Sequence, residues 1–197
     1  MPIRFFLLLL LVLPGLAYAD ASTGNFMGYQ LGAEYKRGAA TQLEMTTTGN
    51  LRVTAEQPVK PADIAQVTLL TTRETLTIGF ISAEQWFATE AEAREFGRRY
   101  FGLLRAKYPD WPHGWEVMDA RMNIVEVNFN QAPHNLRLRL TKEHRDGESM
   151  WRFSMTLGWL PESAEEQAWR GKAVKEQVSG QQGSQQQLLQ DSDVRGL

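Results

Sequence analysis

The chain has 197 residues, no cysteine, and 21 Lys and Arg against 23 Asp and Glu, for a net charge of −2. The missing cysteine excludes disulfides, a thiol nucleophile and a lipidation cysteine. The near-balance of charge speaks against nucleic acid as the main partner, which would want a clear basic excess.

Residues 1–19 read as a secretory signal peptide. Arg4 supplies a positive charge, an unbroken apolar run covers 5–13, Pro14-Gly15 breaks it, and Ala17-Tyr18-Ala19 is a small-x-small cleavage site. The run is shorter than the roughly 20 residues that a bilayer-spanning helix needs. Cleavage after Ala19 would leave a mature periplasmic protein starting at Asp20, with no transmembrane segment.

The segment 22–37, with Gly24, Gly28 and Gly32 inside it and Gly38 after it, reads as an opening edge strand or a loop laid over the core. Its glycines do not form a phosphate-binding loop, because the G-x-x-x-x-G-K-[ST] pattern is absent. Residues 41–47 and 51–55 alternate around Thr48-Gly49-Asn50 and form a first hairpin. Pro58 and Pro61 bracket a stiff connector. Residues 66–72 and 75–81, rich in Thr, Val, Leu and Ile, read as two strands joined tightly at Arg73-Glu74.

The main helix starts at a capping box, Thr89 with Glu92, and stops before Pro109. Ala93, Phe96, Tyr100, Leu103, Leu104 and Lys107 fall at helical spacing. Glu90, Glu92 and Glu95 come first and Arg98, Arg99, Arg105 and Lys107 later, the order that complements the helix dipole. Gly97 and Gly102 each cost about 1 kcal/mol relative to Ala inside a helix; they leave room between helix and sheet. Residues 109–119 read as a compact loop, and 123–129 as a strand.

The segment 135–158 carries the strongest signal. Leu136, Leu138 and Leu140 alternate with Arg137, Arg139 and Thr141; Trp151, Phe153, Met155 and Leu157 alternate with Arg152, Ser154 and Thr156. Asp146-Gly147 between them suits a two-residue type I′ turn. That turn pairs Arg145 with Glu148, Leu140 with Phe153, Leu138 with Met155 and Leu136 with Leu157. A one-residue slip would destroy every apolar pair.

A peripheral helix over 161–178 follows, opened by Ser163 and Glu166, and the Gln/Ser/Gly-rich tail 179–197 reads as disordered. The expectation is a single α+β domain over 20–160: a two-layer build, with an antiparallel sheet of about six or seven strands and one main helix on its apolar face.

No residue set announces a reaction. No G-x-S-x-G surrounds any serine. His113, His134 and His144 all lie in or beside turns. Asp110, His113, Glu116 and Asp119 match no established metal spacing, so no metal or cofactor is expected. Six residues stand out for binding. Trp111 and Trp115 on the loop after the helix, with Trp86 before it, offer large contact area at small rotamer loss. Arg137, Arg139 and Arg152 share the polar face of the long hairpin as a modest basic patch. Together these point to an exported, non-enzymatic binding or accessory protein that contacts another periplasmic or envelope protein. A small-ligand carrier with a pocket between helix and sheet is the alternative, and a periplasmic hydrolase the third reading.

Overall fold

The computed structural model describes residues 21–38, 41–56, 58, 60–116, 125–145 and 147–194. The signal-peptide reading of 1–19 therefore lies outside the described residues.

A 3-10 turn at Ala21–Thr23 leads into a two-stranded ribbon, β1 (Asn25–Phe26) and β2 (Tyr29–Gln30). The main sheet holds β3 (Gln42–Met45), β4 (Leu51–Thr54), β5 (Gln66–Thr71), β6 (Ile78–Phe87), β7 (His113–Glu116), β8 (Val125–Gln131), β9 (His134–Arg145) and β10 (Glu148–Trp159). Helix α1 (Glu90–Lys107) joins β6 to β7, and α2 (Ala164–Val194) follows β10. The eight strands pair antiparallel in the order β3-β4-β5-β6-β10-β9-β8-β7. The fold is thus α+β, with α1 covering one face of the sheet.

The β9–β10 hairpin has the register its turn and alternation require: Arg145 faces Glu148, Leu140 faces Phe153, Leu138 faces Met155 and Leu136 faces Leu157. Gly147 sits at φ +86°, a backbone position that glycine reaches without strain. The inward face of this hairpin is the floor of the core. Phe96 of α1 meets Phe153 edge-on at 5.1 Å and stacks on Tyr100 at 4.7 Å, and Ala93 and Leu104 are buried beside them. The Thr89–Glu92 capping box is formed in both directions. The Pro61–Ile64 turn pins α1 from the side: the Tyr100 hydroxyl donates to Asp63 at 2.6 Å and Arg99 pairs with the same carboxylate.

The N-terminal segment is laid over the core. Phe26, Met27 and Leu31 are buried, the N–H of Gly32 donates to Ile78 O, and the N–H of Tyr35 donates to Leu76 O. Helix α2 runs along one end of the sheet. Trp169 is buried against Phe80 and Trp159, and its Nε1–H donates to Thr77 O at 2.9 Å. Further on, Lys172 Nζ donates to Thr77 Oγ1, Glu176 accepts from the N–H of Glu74, and Gln177 donates to Thr48 O.

Four boundaries differ from the sequence reading. His113–Glu116 is an edge strand and not part of a loop; Pro112 and Gly114 hid it, yet both are compatible with an outer strand. Strand β6 runs on to Phe87, since Ala83 and Phe87 continue the inward alternation while Glu84 and Trp86 point outward. The β5–β6 connection spans residues 72–77 and not two residues, with a register shift between Leu70 and Thr71. Helix α2 continues past Val178 to Val194. Its Gln and Leu residues favour helix intrinsically, while Gly180 and Gly183 do not.

Candidate functional site

The second face of the sheet, opposite α1, carries the site. Pairing fixes its side chains in rows across the strands. One row reads Asn128, Arg137, Thr156, Ser82 and Thr68; the next reads Glu126, Arg139, Ser154, Glu84 and Gln66. Beyond these, Arg152 lies between Thr141 and Trp86, and at the other end Asn135, Gly158, Phe80 and Leu70 complete the surface. The rows line a groove of about 360 Å³, with Arg52 on its far side.

The arginines are not a free basic patch, which corrects the sequence reading. Glu126 is 3% exposed and lies 3.1 Å from Arg137 Nε and 3.7 Å from Arg139 Nε. The shorter approach is within hydrogen-bond distance but off-angle, so neither Nε–H makes a well-aligned bond. Arg152 places Nη2 2.7 Å from Glu143 and Nη1 3.7 Å from Glu84. Glu84 is also buried and accepts from Gln66 at 2.9 Å and Thr68 at 3.1 Å. The exposed Arg52 pairs loosely with Glu44 at 3.6 Å, a contact that water screens.

The structure brings four of the six expected binding residues together. Arg137, Arg139 and Arg152 line the groove, and Trp86 lies at its end with the guanidiniums of Arg145 and Arg152 over its ring at 4.9 Å and 5.7 Å. The other two lie elsewhere. Trp111 is 7% exposed and its ring sits 4.6 Å from that of Tyr108, so it closes the end of the core. Trp115 is on edge strand β7, and its side chain lies outside the described residues. Sequence reasoning missed Glu84 and Glu126. Their outward positions on strands, directly across from outward arginines and hydroxyls, were the available signal.

The histidines are elsewhere. His113 stacks on Phe129 at 5.4 Å on the α1 face. His134 is buried at the start of β9; burial holds its pKa below the ordinary value, although the charge of Glu165 and the Ser22 backbone act in the opposite direction. His144 faces Ser149 near the hairpin tip. Among the described residues no three His, Cys, Asp or Glu side chains are grouped to hold a metal ion, and no helix is long and apolar enough to cross a membrane.

A second concavity lies between α1 and the sheet. It is about 120 Å³, lined by Gly97, Phe101, Val127, Leu138, Leu140 and Phe153, with Arg94 and Arg98 at its border. A Cβ on Gly97 would meet Leu140 and Phe153 at 3.6–3.7 Å, so the missing side chain contributes directly to that space.

No known family model matches the chain, and neither a curated protein nor a solved structure shows significant similarity to it.

Proposed function

We propose that this is an exported, non-enzymatic binding or accessory protein of the periplasm that holds a protein partner on the open face of its sheet. The supporting observation is the groove. One face of the sheet is covered by α1, while the other keeps an accessible surface floored by four arginines, two buried carboxylates and a row of hydroxyls. Burying carboxylates costs several kcal/mol per ion before pairing. Serine and threonine alone would make an ordinary wet face at less cost, so the charged network is the feature that calls for a binding role.

The groove floor has Ser82 and Ser154 but no histidine: register puts His134 and His113 on the α1 side. That arrangement favours recognition over acyl transfer. A crosslinking pull-down from periplasmic extract tests the reading, using the processed chain and an Arg137→Gln/Arg139→Gln/Glu126→Gln variant that removes the charges together. A partner enriched by the wild type and lost with the folded variant is expected. Equal recovery by both would reject the open face as the binding surface.

The cavity under Gly97 favours a second reading, a small-ligand carrier. Its volume of about 120 Å³ accommodates a single ring or a short alkyl chain, below the range of roughly 300–1,000 Å³ usual for ligand pockets. Benzene titration followed on the Leu138 and Leu140 methyl signals tests it; no saturable shift would remove this reading.

A further inference from the structure

We infer that the groove takes a carboxylate of an extended acidic peptide segment, seated between Arg137 and Arg139. This rests on the open face being the partner-binding surface and names the chemistry it recognises.

The two guanidiniums come from one strand, two residues apart, so they project from the same face of β9. Glu126 on the neighbouring strand approaches both at Nε. Each guanidinium also carries two Nη groups, and the ion pair that Glu126 makes with each arginine is through Nε. Their Nε atoms are buried, while the side chains as wholes remain 40% and 32% exposed and line the groove. Glu126 is thus a positioning residue: its charge draws both guanidiniums in at Nε without an aligned hydrogen bond, and the partly exposed Nη ends are where a ligand would sit. Such an end matches a carboxylate oxygen pair.

Charge selects among anions. Arg137 and Arg139 share one carboxylate, Glu126, and carry an excess of one positive charge. Arg152 is matched by two carboxylates, Glu84 and Glu143. A single carboxylate balances the Arg137–Arg139 half. A dianionic phosphate would exceed that single excess charge.

The rest of the groove suits a peptide. Thr68, Ser82, Ser154, Thr156 and Asn135 line it. Thr68 donates to Glu84, the Ser82 and Thr156 hydroxyls bond one another, and Asn135 donates to Asn128 and Asn130. These side chains therefore meet a peptide through their oxygens, as acceptors for backbone N–H groups. Phe80 and Leu70 are half-buried at one end. Phe80 lies two strands from Arg137, roughly 10 Å at ordinary strand spacing. Phe80 is also two residues along its strand from Ser82, which shares the row of Arg137, so the diagonal is roughly 12 Å, and an acidic residue with an apolar residue four positions away, roughly 13 Å in an extended chain, spans both features.

The test is nitrogen-15 NMR of the processed chain titrated with the peptide acetyl-GESGSLG-amide, with acetyl-GQSGSLG-amide and inorganic phosphate as controls. The glutamate peptide is expected to shift the amides of Ser154 and Thr156 and the Nε–H signals of Arg137 and Arg139 saturably. The glutamine peptide, which leaves the protein untouched, is expected to bind at least tenfold more weakly. The Arg137→Lys/Arg139→Lys variant keeps the charge but loses the planar guanidiniums, and a tenfold loss is expected there too, with its own spectrum reporting the fold. Equal binding of both peptides would overturn the carboxylate assignment, as would phosphate saturating the site below the peptide's concentration. If a partner still crosslinks to the groove while neither peptide binds, this inference fails and the binding-surface reading stands. If nothing crosslinks there, both fail.

Discussion

Glu126 and Arg137, on adjacent strands, bring Oε1 and Nε within 3.1 Å with the carboxylate 3% exposed. Removing one partner of a buried pair costs about 3–5 kcal/mol; the partial exposure of Arg137 and Arg139 moves the expectation to about 2–3 kcal/mol for Glu126→Ala. Glu44→Ala, at the exposed pair with Arg52, is expected to cost less than about 1 kcal/mol. Urea denaturation of the two variants checks the contrast.

Acid should loosen α2. Burial pushes the Glu176 carboxyl up, but the N–H of Glu74, the Thr75 and Thr72 hydroxyls and the N–H of Thr75 together outweigh it and hold the carboxyl below its ordinary value of 4.5. Glu166 behaves alike: burial raises it, while Arg170 and the N–H of Glu162 pull it lower. A carboxyl depressed on folding contributes stability above its unfolded pKa and loses it as pH falls through the folded value. The fluorescence of Trp169 should therefore change as pH drops below about 4.5, and Glu176→Gln should flatten that profile. A Trp169 signal indifferent to pH between 6 and about 3 would contradict this linkage.

Trp169 is the apolar anchor of α2, buried against Phe80 and Trp159. Trp169→Ala is expected to lower stability by about 3–5 kcal/mol. Trp169→Phe keeps much of the packing and removes one of the two donors to Thr77 O, which still accepts from the N–H of Thr72, for a loss of about 1 kcal/mol. Thermal melts order the variants.

Two glycines should respond in opposite directions to alanine. A Cβ at Gly102 meets nothing within 4 Å, so Gly102→Ala should stabilise the protein by up to about 1 kcal/mol. A Cβ at Gly79 would lie 2.2 Å from the Trp169 ring, so Gly79→Ala should displace that ring and cost about 1–3 kcal/mol. Calorimetry of both variants reads the signs.

What was legible in the sequence was what local physics decides. The β9–β10 register follows from Asp146-Gly147 together with strict alternation, and the start of α1 from Thr89 and Glu92. Strand β7 was hidden because His113, Gly114 and Glu116 carry no apolar alternation; the strand exists through its pairing with β8. The site was half legible. Outward arginines are visible on both strands of the β9–β10 hairpin, but Glu126 and Glu84 arrive from β8 and β6, and only sheet order places them beside Arg137 and Arg152. Trp111 illustrates the opposite limit. A tryptophan among Pro and Gly reads as a recognition residue until the ring of Tyr108 is found against it.

The most direct test of the open face as the binding surface is site-specific photo-crosslinking in intact cells, with benzoylphenylalanine placed at Thr156 in the groove and, separately, at Arg98 on the exposed side of α1. The expected result is a discrete adduct with one envelope protein from position 156, none from position 98, and loss of the adduct when Arg137 and Arg139 are both changed to Gln. Adduct from position 98 with none from 156, or an adduct at 156 that survives removal of both arginines, would contradict the assignment of this face.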